Sequence, residues 1–195
     1  GEVTRTAPRG SFVVRVLGTG GVTFSVLLLA FALLAWTWQE PFGGFLLAAG
    51  AAAATGILAL RFAGPYGEPS HREALAAVLL AWLAMPSLGA LPYLLDGGLG
   101  PLDAFFESMS GFTTTGATVL TSFDAFGRAL FLWRAFTQWL GGIGILVAFL
   151  AIFPQLAIAG RQLFAAEAPG PSDDRFTPHL RSTALAVLWV YLGLS

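Results

Sequence analysis

The sequence predicts an all-α membrane protein built from transmembrane helices plus one re-entrant half-helix that is followed by a polar loop. Of the 195 residues, 56% are hydrophobic and only 11% are charged, whereas soluble proteins carry roughly 25% charged residues. The charged residues separate neutral runs that are long enough to cross a hydrocarbon core of about 30 Å, which takes about 20 helical residues. Between the third and fourth runs, the sequence changes to a short segment rich in glycine and hydroxyl side chains.

Residues 1–72 are predicted to form a cytoplasmic N-terminal segment and two transmembrane helices. Neutral runs cover Val16–Gln39 and Pro41–Leu60, which contain 24 and 20 residues. The first run follows several arginines, as a secretory signal does, but it is too long for a signal and further spans follow it. It also contains LGTGGV, which lacks the strand and glycine spacing of a dinucleotide-binding motif. We therefore interpret these glycines as helix-packing positions.

Arginine placement predicts the orientation, because cytoplasmic loops of membrane proteins carry an excess of positive side chains. If the N-terminus is cytoplasmic, eight of the ten arginines lie on inner segments, and only Arg128 and Arg134 lie outside. The carboxylates on the outer side are then Glu40, Asp96, Asp103, Glu107 and Asp124. They either form an acidic vestibule that attracts cations or are ordinary solvated loop residues.

A third neutral run, Ala74–Leu95, is followed by DGGLGPLDAFFESMSGF, which predicts the start of a helix. Pro101 and Asp103 occupy its first turn, where proline and a carboxylate are both favoured. A helix over residues 101–112 is about 18 Å long and cannot span the bilayer. It must therefore enter and leave by one face, and the loop over 113–118 is expected to line water, because lipid cannot satisfy irregular backbone.

A fourth neutral run, Ala135–Gly160, closes a repeat predicted over residues 73–160. Residues 161–181 are predicted to form a cytoplasmic loop, which is either a docking surface for a soluble regulator or a plain connection. The last neutral run, 182–195, is too short to cross a membrane. We interpret it as the start of another repeat's first helix and expect the chain to be part of a longer protein.

Composition argues against several other functions. The net charge is −1 and no basic run is present, so nucleic acid is not an expected partner. The chain has no cysteine and two histidines, His71 and His179. Both are expected in cytoplasmic segments without neighbours suited to bind a metal. An intramembrane serine protease would need a base beside its nucleophile, so we expect no enzyme activity, no catalytic residue and no cofactor.

The loop after the half-helix has residue types suited to holding a dehydrated cation through backbone carbonyls. Three β-branched threonines, Thr113, Thr114 and Thr115, favour an extended backbone, whereas Gly116 can adopt positive φ. The C-terminal end of the half-helix adds a partial negative charge. The alternative interpretation is an ordinary Ser/Thr-rich turn between two spans.

Three separated motifs carry a resemblance to a known family: DAFFESMSGFTTTGATVL, WRAFTQWLGGIGILV and LFAAEAPGP. They resemble the first membrane-pore-membrane repeat of the Trk/Ktr/HKT potassium transporter superfamily, in particular its TrkH-type membrane subunits. The resemblance covers nearly the whole chain, with two extra spans before the repeat. It implies a pore helix at about 101–112 and a selectivity filter at about 113–118.

The resemblance assigns the ion-coordinating carbonyls to consecutive filter residues. K⁺ is expected at Thr114, Thr115 and Gly116, with Ala117 added and Thr113 just below. Glycine rather than serine at position 116 implies a preference for potassium. A threonine at position 118, where simpler potassium channels have a second glycine, implies that sodium is less well excluded.

The resemblance also implies the setting of this repeat. Four repeats on one chain would surround a pseudo-fourfold pore for K⁺ uptake in the bacterial inner membrane, so the partners are the lipid bilayer and three further repeats. A second copy in a homodimer and a cytosolic nucleotide-binding regulatory subunit are also expected. Two other functions are retained as alternatives: a simple homotetrameric cation channel, and a non-conducting membrane anchor or assembly protein.

An ion pair between Arg134 and Glu107 is predicted to support the filter from behind. Glu107 lies four residues after Asp103 on one face of the half-helix, and an arginine at the depth of Arg134 is costly unless it is paired or snorkels. Snorkelling to the interface is the alternative.

Overall fold

The computed structural model describes residues 11–65, 69–121, 126–145, 189, 190 and 193. Every regular element in these residues is an α-helix, which confirms the predicted fold class. The helices are α1 Ser11–Thr37, α2 Gly43–Phe62, α3 His71–Gly89, α4 Leu91–Leu95, α5 Pro101–Phe112 and α6, the helical residues 128–145.

The chain divides into two compact units, Gly1–Gln138 and Trp139–Ser195. The first unit contains α1 to α5 and the beginning of α6. In the second unit, residues 139–145, 189, 190 and 193 are helical. The predicted cytoplasmic loop 161–181 lies outside the described residues, as does most of the fourth predicted span.

Three helical segments are long and apolar enough to cross a membrane: Ser11–Thr37, Gly43–Phe62 and Arg72–Leu95. They confirm the first three predicted spans, with ends that differ from the neutral runs by a few residues. The third span contains Pro86 and changes from α3 to α4 around Ala90. Pro92 lies in the first turn of α4. Proline has no N–H for the helix ladder and its ring crowds the preceding turn, which accounts for the break near Ala90.

Helices α1 and α2 pack closely through glycine. A Cβ at Gly56 would lie 2.8 Å from the carbonyl oxygen of Gly18 and 2.8 Å from the backbone nitrogen of Val22. A Cβ at Gly21 would in turn lie 3.1 Å from the carbonyl oxygen of Ala52. Small residues allow such backbone contact between membrane helices, so the interpretation of LGTGGV as a packing motif is confirmed.

Trp133 of α6 lies at the centre of an aromatic cluster. Its side chain is fully buried, and its indole Nε1 donates a hydrogen bond to the carbonyl oxygen of Gly89 at 3.2 Å. The ring centroids of Phe24, Phe31 and Phe45 lie 5.9, 5.0 and 5.8 Å from that of Trp133. These contacts bring α1, α2 and α3 against the beginning of α6.

Candidate functional site

Helix α5 has the bounds predicted for the half-helix, and it ends in a Schellman motif. Pro101 and Asp103 both lie in its first turn. At the other end, the N–H of Thr114 donates to the carbonyl oxygen of Gly111 at 2.9 Å, and the N–H of Thr115 donates to that of Ser110 at 3.0 Å. These two bonds satisfy carbonyls that the helix end leaves free, which is the usual role of this motif.

The Schellman motif fixes the direction of the loop's first carbonyls. The N–H groups of Thr114 and Thr115 point back to the end of α5, and the N–H of Gly116 lies 3.5 Å from the oxygen of Ser110. In a trans peptide, the C=O points opposite to the N–H of the following residue. The carbonyls of Thr113, Thr114 and Thr115 are therefore directed away from the helix end.

The backbone of this loop differs from the extended conformation predicted for its threonines. Thr113 has φ −87° and ψ 2°, and Thr114 has φ 57°, in the left-handed region. The extended expectation is wrong at both residues, because the Schellman motif requires a left-handed residue where α5 ends. Positive φ is rare for a β-branched residue, so composition gave no signal for it. Gly116 has the positive φ expected of it, 73°.

Glu107 and Arg134 form the predicted ion pair behind the loop. The carboxylate of Glu107 is fully buried, and its Oε2 lies 3.1 Å from Nε of Arg134. Its Oε1 accepts hydrogen bonds from the hydroxyl of Thr118 and from the N–H of Val119. A buried carboxylate requires such partners to offset the loss of hydration, so Glu107 joins α5, α6 and the chain at Thr118 and Val119.

Arg134 also contacts the loop directly, which the sequence did not predict. Its Nη2 donates to the carbonyl oxygens of Gly116 at 3.1 Å and Ala117 at 3.4 Å. The carbonyl of Ala117 accepts a second hydrogen bond, from the Ser110 hydroxyl at 2.6 Å. A carbonyl oxygen has two lone pairs, and both are engaged at Ala117. This argues against the expectation that Ala117 coordinates an ion, whereas Gly116 retains one acceptor position.

Most hydroxyl groups near the loop hold the backbone in place. The buried hydroxyl of Ser108 donates to the carbonyl oxygen of Pro86 at 2.7 Å and so joins α5 to α3. The hydroxyls of Thr113 and Thr115 lie 2.8 Å apart, and that of Thr114 donates to the carbonyl of Thr113 at 2.7 Å. The concentration of serine and threonine in this segment thus supports the loop's shape.

Of the carboxylates predicted to form an acidic vestibule, three of the four that the structure describes are engaged within the protein. Asp96 accepts hydrogen bonds from the N–H groups of Gly44 and Phe45, at 2.8 and 3.2 Å, and so caps α2. Burial raises the pKa of Asp96, although these two bonds oppose the shift. Glu40 is also engaged within the protein, and Glu107 is buried. Among the described residues of the predicted set, only Asp103 is exposed. Asp124 lies outside the described residues.

Comparisons with known proteins identify relatives of this chain. The family model described as "TrkH: Cation transport protein" matches residues 51–195. The chain is 38% identical to the Trk system potassium uptake protein TrkH of Vibrio parahaemolyticus, over 94% of the chain and 39% of that protein. It is 42% identical to the protein of the same name from Escherichia coli K12, over 66% of the chain and 27% of that protein.

A differently named relative matches a similar part of the chain. The Trk system potassium uptake protein TrkG of Escherichia coli K12 is 36% identical over 63% of the chain and 26% of its own length. The chain spans about two fifths of the length of the first two curated relatives, 39% in each case. Since the family model covers well over half of the chain, this protein belongs to the TrkH family of cation transport proteins.

Proposed function

We propose that this chain contributes one wall of a potassium-uptake pore, in which a dehydrated K⁺ ion is coordinated by backbone carbonyls of the loop after α5. The names of its relatives support potassium as the ion. The half-length helix supports a re-entrant position, because a helix of 12 residues is about 18 Å long and cannot cross the bilayer. The filter segment is thus the loop over residues 113–118.

The observation that carries the proposal is the common direction of three successive carbonyls. Those of Thr113, Thr114 and Thr115 point away from α5, because the following N–H groups are turned back to the helix end. Within the described residues, the carbonyls of Thr114 and Thr115 accept no hydrogen bond from the protein, so they are available to replace water around a cation. An extended strand would instead direct alternate carbonyls to opposite sides.

The ion ligands proposed from this geometry are therefore Thr114 and Thr115, with Gly116 as a shared ligand and Thr113 below them. The Gly116 carbonyl accepts one hydrogen bond from Arg134 and has a second lone pair for an ion. Glu107 and Arg134 support the loop from the protein side. The end of α5 adds the negative end of its dipole, which favours a cation at this position.

A complete pore requires more than this single loop. Selection by carbonyls needs a ring of them around an axis, so three further repeats of a longer chain are proposed to complete a pseudo-fourfold filter. The excess of arginine on one side of the spans supports a multi-pass protein of the bacterial inner membrane with a cytoplasmic N-terminus. A homodimer and a cytosolic nucleotide-binding regulatory subunit are proposed as partners.

Replacement of Gly116 by serine tests the proposal. Gly116 has φ 73°, and a Cβ there would meet no atom within 4 Å, so a serine is strained by its backbone rather than by a clash. A residue with a Cβ in the left-handed region costs about 1–2 kcal/mol of conformational free energy. Rotation of the adjoining peptide groups would relieve this strain and so change the direction of their carbonyls. In full-length protein reconstituted into vesicles, we expect Gly116→Ser to lower the rubidium-to-sodium flux ratio by about tenfold, equivalent to 1.4 kcal/mol.

Gly98 offers a matched control in the loop before α5. It has φ 66°, and a Cβ there also meets no atom within 4 Å. Gly98→Ser therefore introduces the same backbone strain away from the proposed filter and should leave the flux ratio unchanged. A membrane anchor would show no cation flux in the parent protein, and an unchanged ratio in Gly116→Ser with intact flux would contradict the assignment of the filter.

A further inference from the structure

Glu40 caps a helix that begins 88 residues later in the chain. Its Oε1 accepts a hydrogen bond from the N–H of Arg128 at 2.9 Å, and its Oε2 accepts one from the N–H of Ala129 at 2.8 Å. The Nε of Arg128 lies 3.2 Å from Oε1 of the same carboxylate. Glu40 belongs to the turn between α1 and α2, whereas both amides belong to the first turn of α6.

The first turn of α6 depends on this distant carboxylate. The N–H groups at a helix start have no partner within the helix, and a side chain just before the helix commonly accepts from them. The residue in that position is Gly127, which has no side chain. A Cβ there would lie 2.8 Å from Oε2 of Glu40, so the lack of a side chain at Gly127 is what admits the distant carboxylate.

The turn that carries Glu40 is constrained. Gln39 has φ 59°, in the left-handed region, and the N–H of Glu40 donates to the carbonyl oxygen of Ala35 at 2.9 Å. The guanidinium carbon of Arg128 lies 5.1 Å from the ring centroid of Trp38. These contacts hold the carboxylate at the end of α1, opposite the start of α6.

The charge state of Glu40 suits a cap. Burial raises the pKa of Glu40, but hydrogen bonds from the N–H groups of Ala129 and Arg128, together with the Arg128 guanidinium, outweigh it and lower the pKa overall. The group is therefore ionised at neutral pH. A negative charge is favoured at this end of a helix by the helix dipole.

Helix α6 carries Arg134 six residues after the capped start, about 9 Å along the helix axis. Arg134 contacts Glu107 and the carbonyl of Gly116, each at 3.1 Å. If the first turn of α6 frays or moves, Arg134 moves with the helix, and its hydrogen bonds to the loop change. Hydrogen bonds at about 3 Å tolerate little displacement.

We propose that Glu40 is a positioning residue for the filter: by capping α6 it sets the place of Arg134, and Arg134 in turn holds the carbonyl of Gly116. The α1–α2 pair is then part of the filter's support, in addition to spanning the membrane. This inference rests on the proposed function for its effect on ion selection, but its structural part can be measured separately.

The test compares Glu40→Gln with Glu73→Gln in the full-length protein. Glutamine keeps the size of Glu40 but presents an amide N–H₂ to one of the two donors, so one cap bond is lost. Glu73 accepts from the backbone N–H of Ser70 at the start of α3, so the same substitution there removes a carboxylate charge from the first turn of another helix, although glutamine can still accept this bond. The protein is used in a background in which any cysteine has been replaced.

Two readouts separate the structural part from the functional part. A single cysteine at Val119, which is 40% exposed and follows the filter, reports the loop's accessibility to a membrane-impermeant maleimide. We expect Glu40→Gln to raise its labelling rate and to lower the rubidium-to-sodium flux ratio, each by about fivefold, the factor typical of a lost helix cap. Glu73→Gln should change neither, even where it lowers thermal stability.

Several outcomes would overturn the inference. One is unchanged labelling and unchanged flux ratio in a folded Glu40→Gln protein. Another is an equal change in Glu73→Gln, which would indicate general loosening. A third is full reproduction of the effect by Arg128→Gln, which keeps both backbone donors and would assign it to the exposed ion pair. If Glu40→Gln speeds labelling of the cysteine at Val119 but the parent protein conducts no cation, the result would support the structural link and contradict the proposed function.

Discussion

At the scale of single residues, Glu107 has three hydrogen-bond partners around the loop. It joins Arg134, Thr118 and Val119 while fully buried. We expect Glu107→Gln to destabilise the protein by about 3–5 kcal/mol, because loss of one partner leaves a buried charge uncompensated. The measurement is the midpoint temperature of unfolding of the detergent-solubilised full-length protein.

A double variant and a surface variant make this prediction specific. Glu107→Gln combined with Arg134→Gln should cost less than the sum of the two single changes, because neither charge is then left alone. Asp103→Asn changes an exposed carboxylate on the same helix and should alter stability by about 0.5 kcal/mol or less. Additive effects of the two single changes would argue that the ion pair has no energetic role.

The residue scale also shows what could be read from the sequence. The pairing of Glu107 with Arg134 was one of two interpretations that the sequence allowed, because an arginine at that depth is costly unless it is paired or snorkels, and the half-helix offers a carboxylate. The left-handed Thr114 and the occupied carbonyl of Ala117 were not. Side-chain types indicate which residues can form a loop, whereas the direction of each carbonyl depends on hydrogen bonds from α5 and α6 that form only in the folded protein.

At the scale of helices, Gly89 is the point where α3 meets α5 and α6. A Cβ there would lie 2.9 Å from a ring carbon of Phe112, 3.0 Å from the hydroxyl oxygen of Ser108 and 3.3 Å from a ring carbon of Trp133. All three neighbours are buried and have little room to move. We expect Gly89→Ala to destabilise the protein by about 1–3 kcal/mol, the usual cost of overpacking, measured by thermal unfolding in detergent.

Gly50 of α2 provides the control for this change. A Cβ at Gly50 would meet no atom within 4 Å, so Gly50→Ala should be neutral or slightly stabilising through its higher helix propensity. If both alanine variants behaved alike, close packing at Gly89 would be excluded as the cause.

Helix positions were more predictable than helix contacts. The neutral runs and the proline and carboxylate at the start of α5 are local signals, and they located three spans and the half-helix. The cap that Glu40 provides for α6 and the cap that Asp96 provides for α2 join residues 88 and 52 positions apart. No local pattern marks such pairs, so the sequence left only an acidic vestibule or ordinary solvated loop residues as interpretations of both carboxylates.

At the scale of the whole first unit, Trp133 connects the N-terminal pair of helices to the filter region. Its ring packs against Phe24 and Phe31 of α1, Phe45 of α2 and Phe112 of α5. Lipid is as apolar as these rings, so association of helices in the membrane depends on close packing and hydrogen bonds rather than on removal of water. Trp133 supplies both, since its indole also donates to Gly89.

We therefore expect Trp133→Ala to lower the free energy of unfolding by about 3–5 kcal/mol, and to increase labelling of a cysteine at Val119 because α6 loses its position.

Trp36→Ala is the matched control: it removes the same side chain from α1, but Trp36 is 61% exposed, so its loss should cost little. Trp133→Phe should fall between the two, because it keeps an aromatic ring and loses the bond to Gly89. Thermal unfolding in detergent and maleimide labelling measure the two effects. Equal losses in Trp36→Ala and Trp133→Ala would mean that contact with lipid or detergent, and not the cluster, sets the stability of this unit.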